Sequence, residues 1–75
     1  MKKRSYMVIY EADPDGGFVA SVPALPGCYS QGDTMPEVKR NITEAIELYL
    51  ETLQDEHKDI PSGKSVLQGR VEVTI

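Results

Sequence analysis

At 75 residues with a formal charge of −4, the chain holds one domain, burying only about 60% of the surface its unfolded form exposes. A single cysteine, Cys28, and a single histidine, His57, exclude an intramolecular disulfide and argue against a structural zinc site, which fits a reducing, cytoplasmic setting, and no apolar run approaches the ~20 residues that span a bilayer. Lys2, Lys3 and Arg4 are three of the eight basic residues, so from Ser5 onward twelve acidic residues face five basic ones, a balance of −7 that argues against a nucleic-acid-binding body and suits a basic protein partner.

Residues 6–11 (Tyr-Met-Val-Ile-Tyr-Glu) combine aromatic and β-branched side chains and read as a strand. Tyr6, Val8 and Tyr10 share one face and Met7 and Ile9 the other, so both faces are apolar and each calls for cover. Asp13-Pro14-Asp15-Gly16-Gly17 is a turn: Pro presets φ, the Asp side chains bond nearby backbone, and the glycines accept positive φ. Residues 18–22 return as the second strand, with Phe18, Ala20 and Val22 on one face. Pro23-Ala24-Leu25-Pro26-Gly27 interrupts the pattern, because two prolines cannot donate to a ladder. Residues 28–31 resume as a short third strand.

After Gly32-Asp33, Thr34 and Glu37 stand in the capping-box relation and Pro36 falls in the first turn of a helix. Val38, Ile42, Ala45, Ile46, Tyr49, Leu50 and Leu53 recur at steps of three and four, while Glu37, Lys39, Arg40, Glu44, Glu47, Glu51 and Gln54 fill the other side. One face is therefore meant to be buried. The helix decays through residues 55–59 and Pro61-Ser62-Gly63 forms a loop. Residues 65–75 read as a last strand, with Val71, Val73 and Ile75 alternating against Arg70, Glu72 and Thr74.

The pattern predicts an α+β domain of two layers, β-β-β-α-β. Three strands form an antiparallel meander, and a right-handed crossover through the helix sets the fourth beside the first. The expected result is a four-stranded mixed sheet of order 3-2-1-4 with one long helix on one face. The other face is left bare, which predicts a homodimer or higher homo-oligomer; Tyr6, Val8 and Tyr10, or else Met7 and Ile9, are its candidate face, and the open edge of the third strand is the alternative surface.

Tyr6…Ile9, Asp15-Gly16-Gly17-Phe18, Pro23-Ala24-Leu25-Pro26-Gly27-Cys28, Gly32-Asp33-Thr34 and Asn41-Ile42-Thr43-Glu44-Ala45-Ile46 together resemble the HicB-like antitoxin family of bacteria and archaea. The resemblance covers roughly residues 6–61. It implies a partial RNase H-like fold and an antitoxin role, in which the domain binds a small HicA-type toxin, an mRNA-cleaving ribonuclease with a catalytic His, and shields its site. Many family members carry a C-terminal DNA-binding domain. Here residues 1–75 read as a single domain without one, so no direct nucleic-acid binding is expected.

Leu25 and Tyr29, beside the rigid Pro-Gly kink, are candidate partner contacts, and Glu37, Glu44, Glu47 and Glu51 are candidates for pairing with a basic toxin surface. Each group also has a plainer reading, as a shaped strand connection and a solvated helix face. The Lys2-Lys3-Arg4 tip either touches RNA phosphates on an engaged toxin's substrate or is a solubilising terminus. Asn41 is suited to bonding the loop before the helix, Cys28 to a buried structural role, and His57 to a solvated surface. RNase H-type nucleases hold two Mg²⁺ ions with acidic residues on the first strand, helix and fourth strand. Glu11, Glu44 or Glu47, and Glu72 are the carboxylates in comparable elements, but they form no obvious cluster in sequence. The chain is thus expected to be non-enzymatic, without cofactor or metal. The alternatives are a divalent-metal nuclease and a homo-oligomeric regulatory module with no toxin.

Overall fold

In the computed structural model, which describes residues 3–75, the Asp-Pro-Asp-Gly-Gly segment closes as its residues dictate. Asp15 N–H donates to Asp13 Oδ1 at 2.9 Å and Asp13 N–H to the Gly17 carbonyl at 2.9 Å, while Gly16 and Gly17 take φ of 107° and 79°, which costs glycine little. The turn folds β1 (Ile9–Ala12) onto β2 (Phe18–Ser21) in antiparallel register, Tyr10 opposite Ala20 and Ala12 opposite Phe18. β3 (Tyr29–Gly32) pairs antiparallel with the other side of β2, Ala20 opposite Ser30 and Phe18 opposite Gly32. The sheet order is β1-β2-β3.

The first strand is shorter than residues 6–11 suggest, and the cause lies across the sheet. Residues 6–8 would have to pair with 22–24, where Pro23, opposite Met7 in this register, has no N–H to donate. β1 begins at Ile9, where its neighbour can first answer.

Helix α1 (Met35–Asp55) starts as its capping residues predict: Thr34 is extended and its Oγ1 accepts from Glu37 N–H at 3.2 Å, with Pro36 in the first turn. Its end is a Schellman motif. Lys58 N–H reaches the Leu53 carbonyl at 2.9 Å and His57 N–H the Gln54 carbonyl at 3.0 Å, with His57 itself at φ 57°, a left-handed conformation that costs an L-residue roughly 1–2 kcal/mol.

The helix lies on β3 and β2. Ala20, Val22, Leu25, Cys28, Val38 and Ile42 form the buried core, with Tyr6, Val8, Tyr10, Phe18, Ala45, Ile46, Tyr49 and Leu50 packed half-buried around it. Where the helix begins, Gly32 replaces a side chain with space: a Cβ there would meet Val38 N at 2.6 Å, so backbone packs directly on backbone.

The expected four-stranded sheet is corrected by the structure. After a 3₁₀ turn at Gly63–Ser65, residues 66–75 run without regular secondary structure, and Leu67, Val71, Val73 and Ile75 are exposed. The architecture is β-β-β-α, a three-stranded antiparallel sheet under one helix, so the α+β class stands while the order 3-2-1-4 does not. With the fourth strand goes the element that a partial RNase H-like layout requires. Alternation of Val71, Val73 and Ile75 specifies an amphipathic extended segment, but a strand exists only where an edge accepts its backbone. The radius of gyration, 14.3 Å, exceeds the about 11 Å of a compact chain of this length, as a segment standing off the body requires.

Candidate functional site

The loop between β2 and β3 shows how two prolines and a glycine build a rigid shelf. Leu25 N–H donates to the Val22 carbonyl and Cys28 N–H to the Leu25 carbonyl, both at 3.0 Å, so the loop satisfies part of its own backbone and can enter the core. Gly27 takes φ of 82°. Tyr49 Oη on α1 then donates to the Pro26 carbonyl at 2.9 Å, tying the shelf to the helix.

Leu25 is fully buried, with 0% of its surface exposed. It anchors the loop and is not presented to a partner. Tyr29, the first residue of β3, is 69% exposed and stands at the sheet's free edge. Cys28 is buried, and desolvation pushes its thiol pKa above the ordinary value, which keeps it protonated and unreactive near neutral pH.

Glu37, Glu44 and Glu51 recur every seven residues of α1, which sets them along one line drifting about 20° per repeat. Glu44, Glu47 and Glu51 are exposed; Glu37, in the first turn, is half-buried. One turn beyond Glu44 sits Leu48, 65% exposed. Sequence reasoning passed over Leu48, though the signal was present: it is an apolar residue falling outside the buried stripe. Leu48 and Tyr29 line the same open groove of about 450 Å³, together with Gly27, Tyr49, Leu53 and Glu56. The structure thus joins the shelf, the β3 edge and the helix at Leu48 in one groove, apolar at its centre, with Glu56 and Lys58 paired at 3.4 Å on its rim, while Glu44 and Glu51 stand exposed about one turn either side of Leu48 on the helix, outside the groove's lining. Glu47 stands apart from it, on the groove at the opposite flank with Tyr6, Ile46 and Leu50.

Tyr6, Val8 and Tyr10 pack half-buried against the core on the helix side, and Tyr6 Oη donates to the Pro61 carbonyl at 2.7 Å. The register sets Ile9, Ser21 and Tyr29 in one row, and Glu11, Val19 and Gln31 in the next, on the face turned away from α1. Asn41 Nδ2 donates to the Gln31 carbonyl at 2.9 Å, a link between helix and β3. Glu11 lies on that outer sheet face, Glu44 and Glu47 on the helix and Glu72 in the exposed segment 66–75, so the four carboxylates weighed as metal ligands are carried by three separate parts of the fold. Among the described residues, no three His, Cys, Asp or Glu side chains come together as a metal site. Lys2 lies outside the described residues; Lys3 and Arg4 are exposed and border a groove with Lys64. No helix among the described residues is long and apolar enough to cross a membrane.

The chain belongs to the HicB-like antitoxin family: the family model described as the HicB-like antitoxin of bacterial toxin-antitoxin systems matches residues 6–73. A UPF0150 protein of Synechocystis is 54% identical over 64 residues, covering 85% of this chain and 81% of the relative. A UPF0150 protein of Thermoplasma acidophilum is 50% identical over 56 residues, 75% of this chain and 81% of its own length. One from Archaeoglobus fulgidus is 38% identical over 68 residues, 91% and 93% of the two chains. No solved structure gives a significant match.

Proposed function

We propose that this chain is a non-enzymatic, cytoplasmic antitoxin that neutralises a small HicA-like, mRNA-cleaving toxin by direct protein contact. Family membership supplies the antitoxin role. The observation that carries the mode of action is the joined surface of exposed Tyr29 and Leu48 flanked by Glu44 and Glu51. An apolar centre bordered by charged groups is the anatomy of a protein-protein contact, and the acidic helix flank beside Leu48 would speed encounter with a basic ribonuclease and set its orientation.

The test begins with the neighbouring gene: a short basic reading frame there supplies the toxin for the assay, and its absence would count against the toxin pairing. Wild-type chain should bind that toxin and block its RNA cleavage. A Leu48→Asp/Glu51→Lys double variant should keep its helical circular dichroism yet lose at least tenfold in affinity. Full neutralisation by that variant would remove this surface from the mechanism. In the same assay the chain alone should leave RNA and RNA–DNA hybrids intact with Mg²⁺ or Mn²⁺; cleavage abolished by Glu11→Gln or Glu72→Gln would instead establish a nuclease.

A further inference from the structure

The outer edge of β3 is open at one end and closed at the other. Its register sets Ser21 opposite Tyr29 and Ala20 opposite Ser30, and just beyond them Val22 N–H donates to the Cys28 carbonyl at 3.1 Å. Ladder bonds of an antiparallel pair fall on alternate residues, so Cys28 and Ser30 turn their backbone groups to β2 while Tyr29 and Gln31 turn theirs outward. The Gln31 carbonyl meets Asn41 Nδ2 there at 2.9 Å, which agrees with the alternation and caps that end of the edge. Tyr29 N–H, Tyr29 C=O and Gln31 N–H receive no turn or side-chain bond among the described residues. An open edge of this kind is a template for another strand.

On the helix side of that edge lies the groove of about 450 Å³ between Gly27, Cys28 and the helix residues Leu48, Tyr49 and Leu53. We propose that edge and groove together are a strand-addition site: an extended segment of a basic partner protein pairs with β3 at Tyr29, and an apolar side chain of that segment fills the groove. A residue paired with Tyr29 shares the outer face with the Tyr29 ring, and its chain neighbours point to the helix side, where the groove opens. The backbone groups of Tyr29 supply attachment and the groove selects the side chain. Asn41 sets the limit, because it holds the one carbonyl that would carry the pairing on toward Gly32. The added strand is therefore short and centred on Tyr29.

Charge decides the occupant. Leu48 stands between exposed Glu44 and Glu51 on the helix, and among the described residues no salt bridge neutralises either. Glu56 on the groove's rim is already paired with Lys58, so the charge left unanswered beside the edge is negative. A second copy of this chain, at −4 overall, would set acid against acid across the contact, which disfavours it. A segment carrying Lys or Arg beside its apolar residue answers backbone, groove and helix flank at once. This inference rests on the antitoxin reading and adds to it the part of the partner that is gripped and the backbone groups that grip it.

Hydrogen exchange at single amides, followed by NMR on the free chain and on its complex with the basic protein of the neighbouring gene, tests the site. The Tyr29 and Gln31 amides should exchange fast in the free chain and at least about tenfold more slowly in the complex. Tyr29→Pro removes an N–H that β2 does not use, at the first residue of an edge strand where proline is tolerated. It should keep its circular dichroism and bind about fivefold more weakly than Tyr29→Ala, the loss of one backbone bond. A complex in which both amides stay fast, or in which Tyr29→Pro binds as well as Tyr29→Ala, would overturn the strand addition and leave the antitoxin reading standing. Protection that grows with the concentration of the chain alone would make a second copy the occupant and overturn the basic partner. Failure to form any complex would remove both the antitoxin reading and this site.

Discussion

Residues 22–28 and 66–75 both lack regular secondary structure, yet they have opposite fates. Leu25 in the first is 0% exposed and Leu67 in the second 91% exposed. Hydrophobicity does not separate them. The loop closes hydrogen bonds among Val22, Leu25 and Cys28 and accepts another from Tyr49, so burying it leaves few polar groups unpaired. The tail has no such internal bonds, and its backbone groups need water or another strand. Irregular backbone enters a core only after it has answered its own donors and acceptors.

Substitution can test that contrast at its extremes. Leu25→Asp puts an unpaired charge into the core and should cost several kcal/mol, most of the roughly 5 kcal/mol of a small domain; loss of the cooperative thermal transition is the expected readout. Leu67→Asp should change unfolding free energy by no more than about 0.5 kcal/mol in urea titration, and equal effects at the two sites would erase the distinction.

Tyr49→Phe isolates the bond that ties the loop to the helix. Its loss should lower stability by about 1 kcal/mol, with faster hydrogen exchange at the amides of Leu25 and Cys28. At the helix end His57→Gly relieves the left-handed strain and should raise stability by about 0.5–1 kcal/mol, seen as a higher midpoint in the same titration. The smallest effect concerns Cys28. Burial raises its thiol pKa in the folded chain, so the folded state keeps a proton that the unfolded state loses. This contribution is complete below the ordinary thiol pKa of about 8.5 and falls away as pH rises through the folded value. A Cys28→Ala variant should show a shallower loss of stability above that pH.

The meander and the helix were legible because their signals are local: Asp-Pro-Asp-Gly-Gly makes its own turn, and Thr34, Pro36 and the three-four spacing make their own helix start and face. Two things were not local. The length of β1 depended on Pro23 beyond the end of β2, and the tail's alternation could become a strand only if an edge accepted its backbone, which none of the described residues does. The candidate surface was half legible. Tyr29 and the glutamates are visible as exposed types, but Leu25 beside Tyr29 gave no sign that the loop's own hydrogen bonds would carry it inward. Leu48 needed the helix phase read for its exceptions as well as its rule.

The bond between Tyr6 Oη and the Pro61 carbonyl spans 55 positions of sequence. Every strand pairing joins elements consecutive in the chain, and the helix packs on the two strands before it. The conformational search is therefore mostly between neighbours, which places refolding toward the microsecond-to-millisecond side of the range for small domains. Closing the long loop comes with the Tyr6–Pro61 contact, whose loop entropy grows only slowly with length. Tyr6→Phe should then leave the refolding rate almost untouched and accelerate unfolding, because the contact that joins the two ends of the body forms after the barrier.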